Sequence, residues 1–232
     1  KEWFKVDLIK NDTILFIDSL SFRWKGNDVF VNTLSFSKNG KRLLIGTDKK
    51  KLWRHSYTST FFIYDIINKK FFPVSSQNKM LRNVKFSPNG MYVSYVRQDN
   101  NIYIFNIKSK REKQLTRTGS ETLSNGHFGW LYEEELTGYD GYRWSPDSEY
   151  ISFWEENEEM VPEFFMLNDL NHYPTIKKIR YPKVGEKNPS LRLGIIRIKG
   201  AGKKWIKGGE VVDGYLPWME WVNKDKIAYM IS

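Results

Sequence analysis

The chain repeats one short pattern: an aromatic residue, a polar turn, and a return strand. It reads LSFSKNGKRLLIG at 34–46, VKFSPNGMYVSYV at 84–96 and YRWSPDSEYISFW at 142–154. MEWVNKDKIAYMI at 219–231 is a degraded fourth copy. Pro88 and Pro146 preset φ at the second residue of a tight turn. Asn89-Gly90 and Asp147-Ser148 tolerate the rest of its geometry. In YVSYV and YISFW nearly every residue is apolar or aromatic, as expected of strands covered on both faces. Outer-strand sequence follows each copy, with turns at Asn68-Lys69, Lys108-Ser109 and Gly200-Ala201-Gly202. The unit is therefore a four-stranded meander. Its marker aromatics, Phe36, Phe86, Trp144 and Trp221, lie 50, 58 and 77 residues apart, so insertions lengthen along the chain. Four-stranded units recurring every roughly 40–50 residues predict propeller blades, whereas a β-sandwich, the second choice, has no internal repeat.

An aromatic content of 16% also favours sheet. Helical periodicity is nearly absent and leaves only short candidates, at 130–137 and 164–170. A length of 232 residues suits one large all-β domain or two smaller ones. With no cysteine, neither a disulfide framework nor a thiolate metal site is available. No apolar run reaches the roughly 18 residues of a membrane-crossing helix. The opening KEWFKVDLIK lacks the apolar core of a signal peptide and an initiator Met, so the chain reads as a segment of a longer protein. The formal charge of +10 splits into +14 over residues 1–120 and −4 over the rest. Such a basic half raises nucleic acid as a partner. The lysines, however, sit in scattered turns such as DKKK (48–51) and NKK (68–70), which reads as solvated turns, not a binding stripe.

Two stretches break the meander rhythm, and long insertions in a compact scaffold are usually functional or disordered. One is GTDKKKLWRHSYTSTF (46–61), with Arg54-His55 at its middle. The other is TGSETLSNGHFGWLYEEELTGYDG (118–141), which holds Glu133, Glu134 and Glu135 in a row between Trp130, Tyr132 and Leu136. Three consecutive carboxylates repel one another, more so when desolvated. A solvated acidic turn is one reading. The other is an anion pair ready for a cation, because an ammonium has three donors that two carboxylates can share. A second acidic run, EENEE (155–159), reads as a solvated loop, since no calcium-loop pattern accompanies it. His55, His127 and His172 lack ligand-like spacing, and Trp24, Trp205 and Trp218 read as packing residues. No G-x-S-x-G occurs, so no nucleophile elbow lies in these residues. No catalytic residue, metal ligand or cofactor site is assigned.

LWRHSYTSTFFIYDI resembles the arginine-bearing segment of the dipeptidyl peptidase IV family of prolyl-oligopeptidase-type serine peptidases. NGHFGWLYEEEL resembles that family's double-glutamate motif. YRWSPDSEYISFW, VPEF (161–164) and YPKVGEKNP (181–189) follow in family-like order. The resemblance covers essentially the whole chain from about residue 15. It implies an all-β fold, about four blades of an eight-bladed propeller, with a short helical insertion carrying the glutamates. Residues 1–232 would then be the N-terminal propeller segment, with the α/β-hydrolase domain and its Ser-Asp-His triad absent from this chain. The fragment alone would be inactive.

In the family, the second and third glutamates bind the substrate's free amino terminus, which implies Glu134 and Glu135. The arginine of the first motif binds the carbonyl of the N-terminal dipeptide, which implies Arg54. His55, Trp130 and Tyr132 are expected to support the site. The implied activity of the intact protein is release of N-terminal Xaa-Pro or Xaa-Ala dipeptides. The implied partners are peptides with a free amino terminus, the hydrolase domain and a second copy as a homodimer, not nucleic acid. The implied setting is periplasmic, secreted or membrane-anchored. The alternative is a propeller interaction module without peptidase activity. Gly129 departs from the family, where an Asp commonly precedes the Trp, and the lack of cysteine points to a bacterial-like member.

Overall fold

The computed structural model describes residues 2–18, 22–75, 80–170, 172–200 and 202–232. Two short ladders open it: β1 (Glu2–Asp7) with β2 (Asp12–Asp18), and β3 (Arg23–Trp24) with β4 (Asn27–Asp28). The first full blade is β5 (Thr33–Phe36), β6 (Arg42–Lys51), β7 (Tyr57–Asp65) and β8 (Lys70–Pro73), in that spatial order. The second is β9 (Arg82–Phe86), β10 (Tyr92–Val96), β11 (Ile102–Asn106) and β12 (Arg111–Gln114), again a simple meander. Between it and the third blade lie β13 (Leu123–Asn125) and the single helix among the described residues, α1 (Trp130–Glu135). The third blade comprises β14 (Tyr142–Trp144), β15 (Tyr150–Asn157), β18 (Ser190–Arg197) and β19 (Lys203–Val211), with β13 added beside β15. A separate hairpin, β16 (Glu163–Asn168) with β17 (Thr175–Arg180), projects from it, and β20 (Trp218–Asn223) with β21 (Lys226–Met230) begins the next blade.

The repeat has a local chemical cause. Each blade's first hairpin closes on a turn in which a serine carbonyl accepts from the third residue on: Gly40 to Ser37, Gly90 to Ser87 and Ser148 to Ser145, at 2.8, 2.8 and 2.9 Å. The donor residue has φ of +67, +67 and +64°, which fits glycine at two of the three positions. Each serine hydroxyl also donates to the Asn or Asp two residues on (Asn39, Asn89, Asp147) and accepts the N–H at the start of the return strand. These turns link consecutive blades as well. Arg42 donates to the Gly90 carbonyl at 3.0 Å, and the Asn89 N–H donates to the Ser148 hydroxyl at 3.0 Å.

The blades stack face to face. Leu44, Phe61 and Ile63 of the first blade pack with Val93, Tyr95 and Phe105 of the second. Tyr92, Ile102 and Ile104 of the second pack with Tyr142, Trp144, Ile151 and Phe153 of the third. YVSYV is buried throughout, and ISFW (151–154) likewise, as their composition predicts. All-β blades in sequence order are the partial propeller expected.

Three readings need correction. Residues 164–170 form no helix: 163–168 pair residue for residue with 175–180, from Glu163↔Arg180 to Asn168↔Thr175. FFML is a continuous apolar run without a 3.6-residue period, and its aromatic residues suit a strand. EENEE is not a solvated loop. Glu155 and Glu156 are buried, because 155–157 extend β15 and pair on both sides, with 123–125 and with 190–192. The 46–61 insertion is largely a lengthened β6–β7 hairpin, whose register shifts near Asp48 (φ +53°) and whose open tip spans only 52–56. The Gly200-Ala201-Gly202 turn begins at Gly200 with φ +85°, while Ala201 lies outside the described residues.

Candidate functional site

The two insertions meet. Arg54 sits at the tip of the β6–β7 hairpin, where the Leu52 N–H donates to the Ser56 carbonyl at 3.0 Å and closes the loop. Its backbone N–H donates to Glu134 Oε1 at 2.7 Å, and its Nε lies 3.0 Å from Glu134 Oε2. One residue thus grips both carboxylate oxygens across 80 positions of sequence. The Arg54 side chain stays 65% exposed and that of Glu134 only 15%, so the guanidinium keeps donors facing outward. Glu135 is exposed beside them.

Helix α1 is anchored from behind. Tyr132 is buried, stacks on Phe128 at 5.0 Å, and accepts the Leu216 N–H at 2.9 Å through its hydroxyl. Trp130 packs on Tyr181 with ring centroids 4.4 Å apart. His55 stacks on Tyr139 at 6.2 Å, joining the hairpin tip to the segment after the helix. Lys177, on β17, lies over the Trp53 ring at 4.2 Å. The Arg54 tip is therefore held from both sides.

Beneath the exposed pair lies a buried ionisable layer that the sequence reading missed. Glu133 has no exposed surface. Ser56 lies beside it without closing a well-formed bond, and both Glu133 oxygens lack one among the described residues. Burial pushes the Glu133 carboxyl up to about 7. Ser56 and the charge of Arg82 pull it down, and Glu134 pushes it further up. Arg82 lies 2.8 Å from His127 Nδ1, while Nε2 lies 2.8 Å from Asn100 Oδ1. A guanidinium only donates, so Nδ1 accepts and Nε2–H donates to the amide oxygen, which fixes the tautomer of a neutral ring. Burial and then the Arg82 charge hold His127 well below its ordinary value. Glu156, also wholly buried, accepts the Gly129 N–H at 2.5 Å. Gly129 is the N-cap of α1. The Glu158 carboxylate occupies the place where a side chain on Gly129 would sit. Glu155, by contrast, is paired with Arg192 at 2.6 Å and accepts from Thr118 at 2.8 Å. The signal available in the sequence was position: EENEE directly continues a strand already buried on both faces.

Among the described residues no cluster of His, Cys, Asp or Glu could hold a metal ion. No helix among them is long and apolar enough to cross a membrane.

The profile of the dipeptidyl peptidase IV (DPP IV) N-terminal region matches residues 37–232. The chain belongs to the dipeptidyl peptidase IV family. Within it, the chain is 34% identical over 189 residues to dipeptidyl aminopeptidase B of Saccharomyces cerevisiae, covering 79% of this chain and 23% of that protein. It is 34% identical over 193 residues to mouse prolyl endopeptidase FAP, covering 78% of this chain and 25% of that protein. Among solved structures, Porphyromonas gingivalis dipeptidyl peptidase 4 superimposes with a TM-score of 0.83 at 27% identity, over 99% of this chain and 34% of that one. The chain thus spans about a quarter of the length of these curated relatives.

Proposed function

We propose that this chain is the substrate-anchoring propeller segment of a serine-type dipeptidyl peptidase that releases N-terminal dipeptides, of Xaa-Pro or Xaa-Ala type. In this reading Glu134 and Glu135 hold the substrate's –NH₃⁺, and Arg54 donates to a carbonyl of the N-terminal dipeptide. An enzyme that cuts two residues in must measure from the amino terminus, and a fixed carboxylate pair does so with charge-assisted bonds of roughly 1.5–3 kcal/mol each. The observation that carries the reading is the grip of Arg54 on Glu134. It orients one carboxylate, offsets its repulsion with Glu135, and leaves outward-facing donors beside an exposed acid. Family membership supports the same reading, since relatives are named dipeptidyl aminopeptidases. A substrate with an acetylated terminus would offer no cation and leave the half-buried Glu134 partly uncompensated.

The chemistry belongs to a C-terminal hydrolase domain of the same polypeptide, docked against this segment, and the intact protein acts as a homodimer. Anchoring contributes by positioning the scissile bond, not by touching the reacting atoms. The test uses the intact protein with Glu134→Ala and Glu135→Ala. Near-abolished kcat/KM on free-amino dipeptidyl substrates, with the fold intact, is the expected result. Unchanged kcat/KM in both variants would overturn the assignment.

A further inference from the structure

Gly129 is bordered by two carboxylates at once. Glu156 accepts its N–H, and Glu158 fills the space of its absent side chain. Both acids come from the end of β15 and the residues just after it, and both press on the residue that starts α1. Glu156 is wholly buried, and its Oε1 has no hydrogen-bond partner among the described residues. Two ionised carboxylates set against one residue, one of them wholly buried with an orphaned oxygen, is an unfavourable arrangement. One proton placed between them removes a charge and gives the orphaned oxygen a partner.

We propose that Glu156 and Glu158 share a single proton beside Gly129, and that this carboxyl–carboxylate pair positions α1 and the glutamates it carries. The positioning half rests on the proposed anchoring function, whereas the shared proton does not. Burial raises Glu156 well above the ordinary carboxyl range, and the neighbouring Glu158 adds to it. Burial raises Glu158 to about 7, against the charge of Arg180. The other groups facing the pair are known. Arg180, on β17, donates to the Glu158 and Val161 carbonyls at 3.2 and 2.9 Å and reaches Glu163 at 3.6 Å. Glu133, on α1, repels Glu156, the Tyr132 hydroxyl lies within its field, and the Gly129 N–H stabilises its charge. Arg82, on β9, acts on Glu133, not on the pair. Among the described residues no cation is therefore spent on Glu156, and a proton is the remaining compensation.

As pH rises past neutrality the shared proton leaves, the two charges repel across Gly129, and the start of α1 shifts. KM for a free-amino substrate then rises while kcat changes little. The substrate's own amino group also titrates, near 8, but equally in every variant. The experiment uses the intact protein and a chromogenic dipeptidyl substrate from pH 6 to 9. It compares wild type, Glu158→Gln and Glu133→Gln. Gln keeps a donor and cannot ionise, so Glu158→Gln should flatten the alkaline KM rise by roughly tenfold, the equivalent of about one pKa unit of coupling. Glu133→Gln should leave that part of the rise in place.

A second readout needs no activity. The infrared spectrum of wild type minus the Glu156→Gln/Glu158→Gln double variant at pH 6 should show a protonated-carboxyl band that titrates away by pH 9. A missing band overturns the shared proton. A present band with superimposable KM profiles overturns the positioning role. Failure of the anchoring function would appear separately, as unchanged kcat/KM in Glu134→Ala and Glu135→Ala with the band intact.

Discussion

Glu133 stores a pH-dependent strain that can be measured. Its carboxyl has no exposed surface and rises from an ordinary 4.5 to about 7 in the folded protein, chiefly through burial. The native state therefore holds this proton more tightly than the unfolded chain does. The stability it contributes is fully present below pH 4.5 and is lost as pH rises to about 7. At about 1.4 kcal/mol per pH unit, the loss across that window is roughly 3 kcal/mol. Glu133→Gln has nothing to titrate and escapes this loss. The melting temperature of the variant should gain on wild type by roughly 6–12 °C between pH 4.5 and 8, at 2–4 °C per kcal/mol for a unit of this size. Thermal unfolding of the intact protein, followed by tryptophan fluorescence at several pH values, gives both curves. A difference between variant and wild type that is constant with pH would refute the reasoning, because it would mean Glu133 titrates in the folded protein as it does in the unfolded chain.

Other perturbations separate support from anchoring. Arg54→Met keeps the backbone bond to Glu134 but loses the exposed ion pair. Stability should fall by less than about 1 kcal/mol, while kcat/KM on free-amino substrates drops by roughly 10- to 100-fold, the worth of one charge-assisted bond. Tyr132→Phe leaves the buried Leu216 N–H unpaired and should cost about 1–3 kcal/mol in denaturant unfolding. Gly141→Ala would place a Cβ 2.5 Å from the backbone of Gly126 and His127, where nothing flexible can yield. It should destabilise by about 1–3 kcal/mol or more. Residues 1–232 expressed alone leave Phe4, Leu8 and Ile9 exposed in the opening hairpin, and Val222, Met230 and Ile231 exposed at β20–β21 and just beyond. They should aggregate or dimerise by light scattering. A monodisperse, cooperatively melting monomer would count against open blade faces.

Much of the fold was legible because its information is local. The Ser-x-Asn-Gly turns carry their own hydrogen bonds, and the runs after them announce burial on both faces. The meeting of Arg54 with Glu134 was legible only through resemblance, since nothing near either residue specifies a contact 80 positions away. What escaped was decided by neighbours remote in sequence. Residues 163–168 are a strand because 175–180 pair with them. Glu155 and Glu156 are buried because 123–125 and 190–192 flank the same three residues. The apolar run suggests a helix and the acidic run a solvated loop, but strand pairing, a non-local fact, governs both. The same blindness hid Glu133, whose carboxyl feels Ser56 and Arg82 and acts on Glu156, groups that arrive from three separate parts of the chain.

The central claim is that the exposed face of α1 reads a free amino terminus. The most direct test is the ratio of kcat/KM for a free-amino dipeptidyl substrate to that for its Nα-acetylated counterpart, in the intact wild-type protein and in Glu135→Gln. The ratio should be large in wild type and collapse toward one in the variant, because the discrimination resides in the carboxylate. A large ratio that survives Glu135→Gln unchanged, and survives Glu134→Gln as well, would contradict the account.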